Sequence, residues 1–276
     1  MTIGDLLKKG TTELAKSGIL NASSDAILII AHALNEDKSY VLAHNHDELS
    51  SPHCKRILNL FELRAKRLPM SYVLGTKEFF GLNFKIDKRA LTPRTETEII
   101  VEEIIKRAPK KARLLDIGTG TGAMAIAIKY HRPDLNVTAS EVSATALSLA
   151  RENAQKLLSK ESPIALIESD LFTNIAERFD CIVANLPYVS RSTELMPEVE
   201  AEPAVALFGG DTDGLMLYRR FFSELPSYLK TTGQVWIESD PWQQPALIKL
   251  AQNANLSVIF QDYFIIGFEV TAKSKN

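Results

Sequence analysis

Asn185-Leu186-Pro187-Tyr188 closes an apolar run, Phe179-Asp180-Cys181-Ile182-Val183-Ala184. A short apolar run ended by Asn and Pro reads as a buried strand that stops at a sharp turn. In an open α/β sheet, chemistry sits just beyond the carboxyl ends of the strands. The turn therefore brings a side-chain amide, two backbone carbonyls and an aromatic ring to the place where a substrate would be held. The same residues would also serve as an ordinary turn in which the Asn caps its own backbone.

A second chemical stretch lies upstream. Leu114-Leu115-Asp116-Ile117-Gly118-Thr119-Gly120-Thr121-Gly122 joins an expected strand to an expected helix. Glycines at 118, 120 and 122 permit a tight turn and a close ligand approach. The spacing is GxGxG rather than the GxGxxG of pyrophosphate binders. Asp116 adds negative charge, which suits a ligand with a positive group, as S-adenosylmethionine has in its ammonium and sulfonium. Glu141 ends the next strand, where a carboxylate can accept both hydroxyls of a ribose. Ser169-Asp170-Leu171-Phe172 follows the third strand, a place for an adenine between polar and apolar neighbours. Tight turns and helix caps alone would explain each piece singly; the three at successive strand ends point to a nucleotide-like ligand.

The elements that must position these residues alternate. Strands are expected at 113–117, 136–141, 163–168, 179–184, 233–238, 256–260 and 264–271. Helices are expected at 122–131, 144–158, 215–229 and 241–254. Such alternation means a parallel sheet with helices on both faces. No helix separates the last two strands, so the last is expected to be antiparallel. Upstream, residues 2–67 show helical periodicity only. Ser23-Ser24-Asp25 reads as the cap of a helix over 26–34, and Ser51-Pro52 as the start of a long one. Phe79 to Ile86 reads as a hairpin turning at Gly81-Leu82-Asn83. Thr95 with Glu98 reads as a capping box for a helix over 96–108. The expected domains are a helical one at 1–74, a hairpin linker at 75–90 and a sheet domain at 91–276.

The 276 residues suffice for one large and one smaller domain, and the formal net charge of −2 offers no basic surplus for a nucleic acid. The local cluster Lys106, Arg107, Lys110, Lys111 and Arg113 reads as a solvated helix end. Cys54 and Cys181 share no motif and read as inert buried thiols. His44-x-His46 does not align on one helix face, so the histidines read as surface or packing residues rather than metal ligands. The start lacks the apolar core of a secretory leader and no run reaches membrane-spanning length. A cytoplasmic protein without membrane or metal partners is expected.

Taken together, these residues resemble class I S-adenosylmethionine-dependent methyltransferases, and more narrowly the peptide chain release factor glutamine methyltransferases (the HemK/PrmC family). The resemblance covers most of the chain, including Pro93-Arg94-Thr95-Glu96-Thr97-Glu98, the Gly118–Gly122 loop, Asp180 to Tyr188, and Pro197-Glu198-Val199 with Glu202-Pro203. Its most family-specific run is Ala204-Val205-Ala206-Leu207-Phe208-Gly209-Gly210 with Asp213-Gly214. It implies a Rossmann-like, seven-stranded, mostly parallel sheet behind a small helical bundle that docks the protein substrate. It implies S-adenosyl-L-methionine held by Asp116, Gly118, Thr119, Gly120, Thr121, Gly122, Glu141, Asp170, Leu171 and Asn185. It implies a glutamine held by Asn185, Leu186, Pro187 and Tyr188, with Pro93–Glu98 closing the pocket. The implied activity is N5 methylation of the Gly-Gly-Gln glutamine of release factors by a monomer. A ribosomal-protein glutamine methyltransferase and an rRNA adenine N6-methyltransferase are the alternatives, because glutamine and adenine present the same planar NH2. Four departures stand out: Leu186 replaces the first Pro of Asn-Pro-Pro-Tyr, Glu141 replaces Asp, and Thr95 replaces Pro. The late Gly-x-Asp-Arg segment is absent, with Phe264-Ile265-Ile266-Gly267-Phe268 in its place.

Overall fold

The structure, a computed structural model, describes residues 1–271; residues 272–276 of the expected sheet domain lie outside these. The described chain divides into two units. One comprises Met1–Thr76 with Leu195–Glu202, the other Lys77–Glu194 with Pro203 onward.

The first unit holds α1 (Ile3–Lys16), α2 (Ala22–Leu34), α3 (Lys38–Ala43), α4 (Ser51–Ala65) and α5 (Met70–Leu74). Their apolar stripes converge on Ile3, Leu6, Leu14, Ile29, Ile57 and Phe61, all fully buried. Thr2 and Asp5 form a capping box, and Asp37 and Ser50 cap α3 and α4. The cap expected at Ser23-Ser24-Asp25 does not form. α2 begins at Ala22, and Asp25 turns inward to accept the Arg64 Nε–H at 2.7 Å. Arg64 and Arg67 converge on Glu198, from the excursion Leu195–Glu202. Arg64 Nη1 donates at 3.0 Å, and the Arg67 fork donates to both carboxylate oxygens at 2.7 and 2.8 Å. Bidentate pairing of this kind is geometrically specific. It holds the Glu198 carboxyl down at about 2, chiefly through the Arg67 hydrogen bonds.

The second unit opens with a hairpin, β1 (Thr76–Phe79) and β2 (Leu82–Lys85). Its turn sits one residue earlier than expected. Phe80 and Gly81 both have positive φ, 49° and 75°, as a two-residue type I′ hairpin requires. A phenylalanine there is unusual. Its N–H donates to the Glu98 carboxylate at 2.9 Å, and its ring meets His131 edge-on at 5.1 Å. That hydrogen bond also removes the expected capping box. Residues Thr95–Thr97 make a 3-10 turn without a side-chain cap, and α6 runs over Glu98–Arg107.

The remaining elements are β3 (Arg113–Ile117), α7 (Ala123–His131), β4 (Asn136–Glu141), α8 (Ala144–Leu157), β5 (Ala165–Glu168) and β6 (Phe179–Ala184). They are followed by α9 (Pro197–Glu200, within the excursion), α10 (Met216–Glu224), β7 (Leu229–Glu238), α11 (Gln244–Asn253), β8 (Leu256–Gln261) and β9 (Ile265–Val270). The seven-stranded sheet has the order β5-β4-β3-β6-β7-β9-β8. All of its pairings are parallel except those of β9, which is antiparallel to both neighbours, as expected. The fold is the expected α/β class, a mostly parallel Rossmann-like sheet preceded by helices. Strand order reverses between β3 and β6, the switch point where such sheets bind ligands. Cys181 is buried in β6, and burial pushes its thiol up to about 12; Cys54 is half-buried.

Removing one member of a buried charge cluster leaves the others uncompensated, at a cost of about 3–5 kcal/mol. Arg64→Met is expected to destabilise the helical unit on that scale, read as faster amide exchange in α2 and α4. The depressed Glu198 carboxyl stabilises the folded state above pH about 4.5, and that contribution is lost as pH falls toward about 2. Glu198→Gln should flatten the unit's stability over this window.

Candidate active site

Register brings the site together before any loop is considered. Ile117 pairs with Ser140 on one side and Ala184 on the other, and Ala184 pairs with Ile237. The next residues along these strands are Gly118, Glu141, Asn185 and Glu238. They therefore form one row at the carboxyl edge of the sheet.

A cavity of about 290 Å³ opens over this row. Gly118, Thr119, Gly120, Thr121 and Glu141 line one part, and Asp170 and Leu171 another. Asn185, Leu186 and Pro187 complete the floor, while Pro93, Arg94 and Thr97 close over it. Three expected site residues do not line it. Gly122 caps α7. Tyr188 turns its hydroxyl to Glu238 Oε1 at 3.2 Å. Asp116 is fully buried under the loop, where its Oδ2 accepts the Thr119 hydroxyl at 2.6 Å and the Ala125 N–H at 3.2 Å. It lies behind the loop and does not touch the pocket. Sequence reasoning missed Arg89 to Thr92, Val142 and Leu217 among the lining residues, since no motif marks them.

The loop is not a phosphate cradle. Phosphate sites work by leaving backbone N–H groups free to point at the anion. Here Gly118 N and Thr119 N both donate to Ser140 O at 2.9 Å, and Gly122 N donates to Thr119 O. Gly120 N donates to Glu141 Oε2 at 2.9 Å. The extra methylene of Glu at position 141 lets the carboxylate reach this N–H while its Oε1 accepts from Ser143 N at 3.0 Å. Each oxygen keeps a further lone pair for ligand hydroxyls. Asp116 Oδ1 is a buried acceptor without a partner. Two carboxylates beside occupied N–H groups fit a ligand that carries hydroxyls and positive charge.

The Asn185 turn is held from below. Leu186 packs its side chain into the core, and its N–H donates to the Tyr218 hydroxyl at 3.4 Å. A proline here would have no N–H, so Tyr218 accommodates the Leu at this position. Tyr218 passes its own proton to Glu238 O at 2.5 Å. Gly209 and Gly214 press on the carbonyls of Pro187 and Tyr188. A Cβ at Gly214 would lie 2.0 Å from Tyr188 O, so that position admits no side chain. Gln243 Nε2 donates to the same Tyr188 O at 2.8 Å. The Asn185 amide donates through Nδ2 to Thr97 Oγ1 at 3.4 Å, and Thr97 donates to Glu238 Oε2 at 2.5 Å. Burial raises the Glu238 carboxyl above the ordinary range, against the pull of these donors.

A seven-stranded sheet whose switch-point pocket joins a glycine loop to an Asn-x-Pro-Tyr turn has the methyltransferase architecture. A methyltransferase from Pyrococcus furiosus superposes with a TM-score of 0.54 over 81% of this chain and 100% of its own, at 18% identity. The family model "Methyltransferase small domain" matches residues 95–201, and "PrmC N-terminal domain" matches residues 5–75. The chain is 38% identical to a release factor glutamine methyltransferase of Geobacter sulfurreducens, over 82% of its length and 79% of the relative's. It is 35% identical to one of Deinococcus radiodurans, over 90% and 89%. The similarity to the Streptococcus pneumoniae enzyme of that name is 38%, over 72% and 71%. The chain belongs to the release factor glutamine methyltransferase family and is an enzyme.

Asp116 carries a pH signature. Burial first, with the Glu141 charge adding, pushes its carboxyl up to about 7. A raised folded pKa contributes stability that is complete below the unfolded value near 4 and is lost as pH rises through about 7. Thermal melts of the ligand-free protein should show this loss between pH 4 and 7, and Asp116→Asn should remove that part of it.

Proposed function

We propose that this enzyme transfers a methyl group from S-adenosyl-L-methionine to the side-chain N5 of the glutamine in the Gly-Gly-Gln motif of peptide chain release factors. The observation that carries the reading is the row at the sheet edge. It sets an Asn-x-Pro-Tyr turn directly beside a glycine loop whose Gly118, Thr119, Gly120 and Gly122 N–H groups are already used and whose acids suit a ribose and a cation. The names of the relatives support the choice of substrate.

The donor, when bound, supplies an electrophilic methyl carbon on a positively charged sulfur. Gly118 to Thr121 would hold its amino-acid part, with the buried Asp116 charge behind them. Glu141 would accept its ribose hydroxyls, and Asp170 with Leu171 would flank its base. A glutamine amide nitrogen is a poor nucleophile, because its lone pair is delocalised into the carbonyl. Orientation and charge stabilisation are what the protein can contribute. Asn185 Oδ1 would accept one N–H of the incoming amide, and the Leu186 carbonyl would accept the other. Both acceptors stabilise positive charge as it develops on nitrogen. The Tyr188 ring would pack on the flat amide. The helical unit would dock the release factor.

Mass spectrometry of a release factor after incubation with enzyme and donor should show one added methyl on the Gly-Gly-Gln glutamine. Label from tritiated donor appearing on rRNA or a ribosomal protein instead would overturn the substrate. Asn185→Ala should lower kcat by about 10²–10³, the cost of removing one preorganised group. Donor affinity by calorimetry should fall far less; near-normal kcat would remove Asn185 from the assignment.

A further inference from the structure

Glu238 has no part in the chemistry described so far. It ends β7 and is only 2% exposed. A carboxylate in such a place is costly unless it is hydrogen-bonded. Its two oxygens receive two hydroxyl protons, from Thr97 at 2.5 Å and Tyr188 at 3.2 Å. Thr97 is itself buried, and its oxygen receives Asn185 Nδ2, which also hydrogen-bonds Glu238 and so pulls its carboxyl down.

The direction of these bonds has a consequence. The two ends of an asparagine amide are nearly identical in shape, so packing alone does not choose between them. For Asn185 the choice is everything: an oxygen facing the substrate accepts its N–H, whereas an NH2 there would repel it. The Thr97 hydroxyl is the donor to Glu238 Oε2, and a threonine hydroxyl has a single proton to give. Once Thr97 has given that proton to Glu238, it can only accept from Asn185. The NH2 end of Asn185 must then face Thr97, and Oδ1 faces the opposite way.

We propose that Glu238 is a positioning residue for methyl transfer: acting on the Asn185 NH2 both directly and through Thr97, it sets the Asn185 amide with its oxygen toward the substrate, and through the Tyr188 hydroxyl it holds the adjoining ring. The proposal rests on the reading of Asn185 as acceptor for the substrate amide. The sequence hides the arrangement, because Thr97, Asn185 and Glu238 are 88 and 53 residues apart along the chain (185 − 97 and 238 − 185).

The test uses the full-length enzyme with a release factor as substrate, and compares Thr97→Val, Thr97→Ser and Glu238→Gln with wild type. Valine keeps the shape and loses the relay; serine keeps the relay. Thr97→Val and Glu238→Gln should lower kcat by about 10- to 100-fold, in the range of a misaligned reacting group. The KM for the donor and its calorimetric affinity should stay within about threefold, as expected for orientation of the acceptor rather than donor binding. Thr97→Ser should restore kcat to within about threefold. The double variant Thr97→Val/Glu238→Gln should be no worse than the poorer single one, since both break one relay. Independently of activity, the Asn185 side-chain NH2 should exchange slowly in 15N spectra of wild type and fast in Thr97→Val. Wild-type kcat in both Thr97→Val and Glu238→Gln, or full additivity in the double variant, overturns the proposal while the Asn185 reading stands. A wild-type enzyme that methylates no glutamine overturns both. If Glu238→Gln fails to fold, the Thr97 pair and the exchange measurement decide the question alone.

Discussion

Everything at the site depends on the in-register parallel pairing of β4, β3, β6 and β7. Parallel strands that run in register must end together, so the residues just past their last hydrogen bonds lie side by side. Here those residues are Glu141, Gly118, Asn185 and Glu238. A slip of one residue in any pair would turn that strand's side chains to the opposite face. The glycine loop and the Asn185 turn are thereby fixed relative to each other by backbone geometry. Side chains then refine a distance that the sheet has already set.

The glycine loop shows how little of a motif's meaning lies in the glycines. Similar loops at the same place in other α/β sheets hold phosphates, because their N–H groups point outward. In this chain the same groups are occupied by Ser140 O, Thr119 O and Glu141. Of the neighbouring acids, Glu141 lines the pocket and Asp116 is buried below it. Selectivity between anionic and cationic ligands follows from where hydrogen-bond capacity has already been used.

Strands β3, β4 and β6 were legible to the residue, β3 and β6 as short apolar runs and β4 from its place in the strand–helix alternation. The placement of Asn185 and Glu141 at strand ends was legible for a similar reason: strand ends and turns are local. What failed was also local in form. Thr95 with Glu98 has the pattern of a capping box, yet Glu98 is taken by the Phe80 N–H of the hairpin. Asp25 has the pattern of a cap and serves Arg64 instead. In both, a tertiary partner outcompeted a backbone N–H that water could satisfy. Thr97 was read only as part of the closing Pro93–Glu98 segment and Glu238 only as a strand end, because only the fold makes the two neighbours. Asp116 was expected beside the loop and lies fully buried beneath it, because a sequence gives the residue type but not the direction it faces.

The excursion Leu195–Glu202 makes the helical unit discontinuous in the chain. Arg64 and Arg67 receive Glu198 from more than 130 residues downstream. On a chain synthesised from its N-terminus, the helices emerge first but their charge cluster cannot close until β3, β4, β5 and β6 have followed. The entropy of closing so long a loop grows only logarithmically with its length, so the contact remains affordable. The unit that is translated first is thus completed late, after the strand that carries Asn185.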